Sequence, residues 1–415
     1  MSYEKRLTQS SKELKGTTMC KLEKLLVELC PEGVDFIAIK EVAVISGAGV
    51  DKKIYANEKP VKLLNYMDVY RNKYIDSSID FMEVTASKSK ISQCNVLKGD
   101  IYITPTSEVL NDIGNSSVIV EDLENVVYSY HIMRIRLKEY NLIASKYLRY
   151  AFGSNYVQTQ INKYAEGITR YGLTKAKWEG IVIPLPPFPI QAEIVRILDN
   201  FTELTAELTA ELTARKKQYD YYRDILLSVK PNKRDAYKFL GLGDICGMIT
   251  TGKLDANAMV VGGKYPFYTC DSNPFFINEY AFDTEAILVS GNGSRIGHIN
   301  YYCGKFNAYQ RTYVLSEFKG INVFYLYHYL KAYLRIYIMK NSKKGSIPYI
   351  TMPILKNFRV PIPSAEQQNH IVAILDRFDT LCNDLTSGLP AEIEARRKQY
   401  EYYRDKLLTF KEAKK

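Results

Sequence analysis

The sequence predicts an α+β fold: two α/β globules separated by two long helices packed as an antiparallel coiled coil, with a pseudo-twofold internal repeat. Three observations predict it. RKKQYDYYRDILL (215–227) returns as RRKQYEYYRDKLL (396–408), identical at ten of thirteen positions. IVRILDNF (194–201) returns as IVAILDRF (371–378), and IVIPLPPFPIQ (181–191) aligns with FRVPIPSAEQQ (358–368), both 177 residues further on. Between these repeats the two halves read as unrelated sequences, so one structural template is written twice.

Taken in order, residues 1–20 begin with a polar stretch, MSYEKRLTQSSKELKG. It lacks the apolar core of a signal peptide and reads as a flexible tail. Residues 21–187 form the first globule. Within it KGDIYITPTSEV reads as a strand running into a polar turn, and residues 145–165 as an amphipathic helix. Residues 188–230 are a helical spacer. Its apolar residues Ile194, Ile197, Leu198, Phe201, Leu204, Leu208, Leu212, Tyr219, Tyr222 and Leu226 keep helical spacing. PLPPFP precedes it and Pro231 ends it. From Ile194 to Leu226 such a helix reaches about 50 Å at 1.5 Å per residue. It carries the word ELTA three times running, at 203–214.

Residues 231–363 form the second globule, with a strand at DTEAILVSGNGS and a closing helix at 322–341. Residues 364–415 form the second helical spacer, broken and restarted at Ser387-Gly388-Leu389-Pro390. Two helices that each need to bury a stripe pack together most simply.

Composition narrows the function. The formal net charge is +10, which favours a polyanionic partner. Tyrosine is abundant, 34 against 16 Phe and 1 Trp, and its apolar face and polar tip suit half-wet interfaces. An A·T-rich coding sequence would raise Tyr as well. The seven cysteines form no CxxC and the four histidines lie apart from them, so neither a zinc site nor a disulfide framework is expected, and a cytoplasmic location is the natural reading. No run of 18 apolar residues is present to span a membrane.

Several catalytic motifs nearly occur. Gly247 to Lys253 has the spacing of a phosphate-binding loop, but Leu254 stands where a hydroxyl must hold Mg²⁺. Gly291, Gly293 and Gly297 resemble a dinucleotide fingerprint, but the next stretch, HINYYCG, reads as extended rather than helical. In Leu185-Pro186-Pro187-Phe188 a leucine replaces the residue that would accept a hydrogen bond from a target amino group. No cofactor, no metal and no chemistry of its own are therefore expected.

Two longer stretches carry a resemblance: GITRYGLTKAKWEGIVIPLPPFPIQAEIVRILD (167–199) and GSIPYITMPILKNFRVPIPSAEQQNHIVAILD (345–376). With both RxKQYxYYRD helix ends, LEKLLVELCPEGV (22–34) and TGKLDANAMVVGGKYPFYTC (251–270), the chain resembles the specificity subunit of type I restriction–modification systems. The resemblance implies two target-recognition domains, each reading half of a split double-stranded DNA site. It implies helical spacers that dock two methyltransferase (modification) subunits, with restriction and translocase subunits joining through the complex. LEKLLVELC then falls where the end of a preceding spacer helix would sit, so the repeat is nearly circular. A helical interaction scaffold without DNA specificity is the alternative. A recognition domain fused to an enzyme is disfavoured by the missing motifs.

Under this reading polar loop residues contact DNA. In the first domain they are Lys52, Lys53, Arg71, Lys73, Lys88, Lys90, Ser129, Tyr130 and His131. In the second they are Lys264, Asn292, Ser294, Arg295, Tyr309, Gln310, Arg311, Lys343 and Lys344. Arg311 leads, because Gln310-Arg311 comes directly after an aromatic strand and both side chains can bond a base edge in two places. Leu204, Leu208, Leu212, Tyr219 and Tyr222 form the buried stripe of the spacer.

Overall fold

The computed structural model describes residues 19–229, 237–341, 349–384 and 386–414. Residues 1–18 of the expected tail, Pro231, Lys343 and Lys344 lie outside the described residues. Met19 and Cys20 already belong to a helix, Met19–Leu29.

The chain forms two compact units. The first holds the residues up to Glu207 together with Glu394 onward; the second is Leu208–Ile393. In the first unit a five-stranded sheet runs in the order Ala43–Ser46, Met133–Leu137, Ile101–Ile103, Ser116–Ile119, Tyr74–Ile75. A three-stranded sheet joins Met82–Ala86, Lys59–Leu64 and Val126–Tyr128. In the second unit six strands run Cys246–Thr251, Thr312–Phe318, Phe282–Ser290, Ile299–Ala308, Tyr265–Tyr268, Phe275–Ile277. The first three positions match between the units, each pair antiparallel.

The repeated segments make the same joint in both. IVIPL runs as the strand Val182–Leu185 against Asp35–Ala38, and RVPI as Arg359–Ile362 against Lys238–Gly241. One turn into the adjoining helix comes a buried glutamine. Gln191 is fully enclosed, accepts from the Ala144 N–H at 2.9 Å and donates to the Leu142 and Pro186 carbonyls. Gln368 accepts from the Asn322 N–H at 2.7 Å and donates to the Pro363 carbonyl at 2.9 Å. A tyrosine completes each joint: the Tyr147 hydroxyl donates to Pro184 and the Tyr325 hydroxyl to Pro361, both at 3.0 Å. Buried polar groups must find such partners, and these tie strand, closing helix and spacer helix together.

The helices depart from expectation in two places. The first spacer helix begins at Phe188 and runs 40 residues to Leu227. Pro189 fits within it because a first-turn N–H has no helical acceptor anyway. The helix expected at 145–165 is two, Ser145–Phe152 and Asn155–Tyr164, because the Ser154 hydroxyl accepts from the Val157 N–H and caps a new start. The second spacer consists of Ala365–Asn383 and Leu389–Leu407, with the break at the expected place.

Within the first unit Ile194, Ile197 and Leu198 are buried, and Phe201 stacks on Tyr403 with centroids 5.4 Å apart. Within the second, Leu208 is buried and Leu212 and Tyr219 are half-buried, whereas Tyr222, expected in the buried stripe, is exposed at the helix surface; both tyrosines flank Phe378, at 6.3 and 5.8 Å. Leu204 is half-buried. The ELTA threonines satisfy their hydroxyls on the preceding turn, Thr205 to Phe201 and Thr213 to Thr209, so they do not break the helix. The first unit also closes on the chain's far end: the Val34 N–H donates to Lys411 and the Ala413 N–H to Val34, both at 2.9 Å.

Gln191→Leu keeps roughly the volume but strands the Ala144, Leu142 and Pro186 backbone groups. At about 1–3 kcal/mol per stranded group, partly relieved by relaxation, a loss of about 2–4 kcal/mol is expected. Urea unfolding combined with hydrogen exchange should show the loss in the first unit and leave the second unchanged.

Candidate nucleic-acid interface

In the second unit three loops meet at one end of the six-stranded sheet. Strand Phe282–Ser290 ends in Gly291–Gly297, where the Gly291 N–H donates to the Arg311 carbonyl at 2.8 Å and Asn292 bridges to Tyr349. Strand Ile299–Ala308 ends in Tyr309-Gln310-Arg311. Tyr309 bridges to Leu254, the Gln310 N–H donates to Leu254 at 2.9 Å, and its side-chain amide donates to Asp255 at 3.3 Å. Gly252 lets the strands converge: a Cβ there would lie 1.7 Å from the Ala308 carbonyl oxygen. The near-motif around Gly252 is thus a strand, Cys246–Thr251, and a close backbone crossing.

The first unit builds the same crossing from different residues. Val50 bridges to Ser129, and the Val50 N–H donates to Tyr128 at 2.9 Å. A Cβ on Gly49 would lie 2.1 Å from the Tyr130 nitrogen. The Ser129 N–H donates to Leu64 as the Tyr309 N–H donates to Tyr268, both at 2.9 Å. Ser129-Tyr130-His131 and Tyr309-Gln310-Arg311 therefore occupy equivalent loops.

Around the first crossing lie Lys52, Lys53, Lys90, Tyr130 and His131, all exposed. The Lys90 ammonium donates to the Gly49 carbonyl at 3.2 Å, Lys53 pairs with Asp51 at 3.4 Å, and the Tyr130 and His131 rings lie 4.0 Å apart. Partial burial and the Lys52 charge lower the His131 pKa, so its ring is neutral at pH 7 and can both donate and accept. Around the second crossing lie Asn292, Ser294, Arg295, Tyr309, Gln310 and Arg311. Arg295 sits 3.3 Å from Asp271, whereas Arg311 makes no ion pair among the described residues. Amide, guanidinium, imidazole and phenol groups on short braced loops can bond base edges and phosphates.

Several expected residues lie elsewhere. Ser129 is fully buried and its hydroxyl accepts from the His131 N–H at 3.3 Å, so it braces the loop and cannot itself reach a ligand. Lys73 reaches Thr202 at 3.3 Å and lies 4.8 Å from the Tyr400 ring centroid, against the helices of its own unit. Though an edge stays exposed, its enclosure and the Arg149 charge push the ammonium down to about 8. Lys264 precedes strand Tyr265–Tyr268, at the opposite end from Tyr268, which joins the crossing. Arg71 is exposed in the last turn of Tyr66–Arg71, and Lys88 is exposed at the start of helix Lys88–Gln93, whose N-cap Ser87 lines one hollow with Gly49, Lys90 and Tyr130.

Sequence reasoning missed Arg170. Its guanidinium Nε donates to Thr106 at 3.0 Å, on a loop held by the Tyr171–Ser107 ladder. It lies in the GITRYG stretch, singled out for its resemblance and not as a site. Among the described residues no group of His, Cys, Asp and Glu could hold a metal ion.

The family model described as "Type I restriction modification DNA specificity domain" matches residues 31–215 and 235–395. A putative type I restriction enzyme specificity subunit of Haemophilus influenzae is 36% identical over 60% of this chain and 68% of its own length. The EcoR124I/EcoR124II specificity subunit of Escherichia coli is 36% identical over 61% of this chain and 69% of its own. The crystal structure of a type I restriction–modification S subunit from M. genitalium aligns over 91% of this chain and 96% of its own, with TM-score 0.56 and 17% identity. A chain from a study of assembly and conformational transition in a type I system aligns with TM-score 0.57 and 18% identity, over 91% and 98%. These likenesses to solved structures concern the fold.

Gly49→Ala and Gly252→Ala place a methyl group against backbone that has no room for it. Each is expected to cost about 1–3 kcal/mol and to displace its loop crossing. Faster amide exchange at 128–132 or 308–312 respectively, with the other crossing unaffected, is the outcome to look for.

Proposed function

Since the chain belongs to the type I restriction–modification DNA specificity family, we propose that its domains at 21–187 and 231–363 each read one half of a split double-stranded DNA site. As a specificity subunit the chain is non-catalytic; methylation and ATP-dependent cleavage reside in the subunits it assembles with. The spacers 188–230 and 364–415 pair as an antiparallel coiled coil and dock two modification subunits. No helix among the described residues is long and apolar enough to cross a membrane; we place the complex in the cytoplasm.

The observation that carries the reading is the duplicated crossing. One backbone framework presents Ser-Tyr-His in one unit and Tyr-Gln-Arg in the other. Two readers of different sequences need a shared frame with different side chains on it. Phosphate contacts from Lys52, Lys53 and Lys90 would position the duplex, and Gln310 and Arg311 would read base edges.

Arg311→Ala is expected to cost the assembled complex about 1–3 kcal/mol, roughly 5- to 150-fold in affinity, and to relax one position of one half-site. Filter binding at fixed salt and sequencing of methylated sites read both. An unchanged affinity and motif would remove Arg311 from the interface.

The ELTA words set the gap between half-sites. Four residues add about 6 Å of helix and about 40° of net rotation. One base pair of B-DNA adds about 3.4 Å and, at about 10 pairs per turn, about 36°. Deleting residues 207–210 is expected to shorten the nonspecific gap by one to two base pairs with both half-sites unchanged, as read from the methylated sites of the deletion strain. An unchanged gap would make the repeat an inert helix.

A further inference from the structure

Beside the first crossing stands a braced loop with an apolar tip. Residues 166–172 form a closed ring: the Glu166 N–H donates to the Gly172 carbonyl at 3.0 Å, and the Gly172 N–H to the Glu166 carbonyl at 2.9 Å. The turn inside it is tight. Gly167 has φ +137°, and a Cβ there would lie 1.9 Å from the Arg170 carbonyl oxygen. Tyr171 and Gly172 pair with Ser107 and Thr106. Arg170 adds a second tie to Thr106 through Nε, and its terminal nitrogens have no partner among the described residues.

Thr106 joins this loop to the crossing. Its carbonyl accepts from the Tyr66 hydroxyl at 3.2 Å, and Tyr66 lies two residues after Leu64, whose carbonyl accepts from the Ser129 N–H. Burial, Lys52 and then Arg170 lower the His131 imidazole, so the Arg170 charge reaches the crossing. The second unit repeats the placement. Residues ahead of a short helix pair there too with the loop after the third sheet strand: Tyr171 with Ser107 ahead of Lys175–Glu179, and Tyr349 with Asn292 ahead of Met352–Lys356. Gly291 makes that contact direct, accepting from the Ile350 N–H and donating to the Arg311 carbonyl, both at 2.8 Å. At the tip of the first-unit loop Ile168 is 94% exposed. A single exposed apolar residue is ordinary on a surface. This one is held on a closed ring beside an unpaired guanidinium and the reading loop.

We infer, on the reading that the crossings face DNA, that Ile168 is a specificity-determining residue of the first domain: it meets the 5-methyl group of a thymine in the major groove, while the Arg170 guanidinium holds a neighbouring phosphate. That methyl is the one apolar group a base edge presents, so it is the partner an apolar side chain finds among polar readers of base edges. The Nε tie to Thr106 fixes the guanidinium plane, and its free terminal nitrogens offer the fork that suits a phosphate.

The experiment uses the complete complex with modification subunits and a duplex carrying its split site, identified by sequencing methylated sites. Each thymine is replaced in turn by deoxyuridine, which deletes the methyl group alone. At one thymine of one half-site the wild-type complex should bind about fourfold more weakly, the worth of roughly one buried methyl group. Ile168→Ala should bind both duplexes alike. Arg170→Gln should weaken binding to every sequence and lower the salt slope by about one, whereas Ile168→Ala leaves that slope unchanged. No deoxyuridine effect in the wild type, or one that Ile168→Ala retains, would overturn the inference. So would an Ile168→Ala loss equal for every base at every position, the mark of a wedge between base steps, or a loss of modification subunits instead of DNA, the mark of a protein contact. If the wild-type complex bound no sequence more tightly than another, the family-level reading would fail instead.

Discussion

One buried glutamine per unit fixes the relation between globule and helix. Gln191 and Gln368 sit just inside their spacer helices, where each accepts a backbone N–H from the closing helix region and donates to the Pro-x-Pro strand. An amide in a dry site that satisfies several backbone groups is costly to break, and it permits one geometry. Within each unit the globule cannot pivot on its helix. Reading a half-site at a set distance requires that rigidity, because a loose joint would blur any spacing that the helix defines.

Around that joint the two units solve equal problems with unequal residues. Asp199 accepts from Tyr150 at 2.6 Å, from Lys146 at 2.9 Å and from Tyr74. Burial alone would raise its carboxyl, but those donors together hold it below the usual range. Its counterpart Asp376 meets a single buried histidine, His328, at 2.7 Å, and there burial lowers the imidazole against the pull of the carboxylate. The helix-borne acid stays while the globule supplies whichever donor its own fold provides. The same division holds at the loop crossings, where Gly49 and Gly252 keep the backbone close and the side chains beyond them share nothing.

Much of this was legible in the sequence, for physical reasons that differ by level. The repeat at offset 177 and the leucine periodicity exposed the joint strands and spacer helices, because periodic burial leaves a periodic pattern. The break at Ser387–Pro390 was readable from backbone chemistry. The division of the helix expected at 145–165 was not, since Ser154 reads as one more polar helix residue until its hydroxyl is seen capping a new start. The loop cluster was half legible. Gln310, Arg311, Tyr130 and His131 come after strands that end in aromatic residues or lie beside them, and they stay exposed, as loop residues beyond a strand end can. Ser129 and Lys73 are polar in type but are used internally, one as a loop brace and one against a helix. Only tertiary contact separates those roles. Arg170 was hidden because its partner Thr106 lies far away in sequence, and its charge acts on His131 from there.

Two independent readers on one duplicated frame should be separable by exchange. The most direct measurement replaces residues 31–180 with the corresponding domain of another family member and sequences the methylated sites of cells expressing the hybrid complex. One half-site is expected to change while the other half-site stays as it was. A change in both half-sites would contradict it.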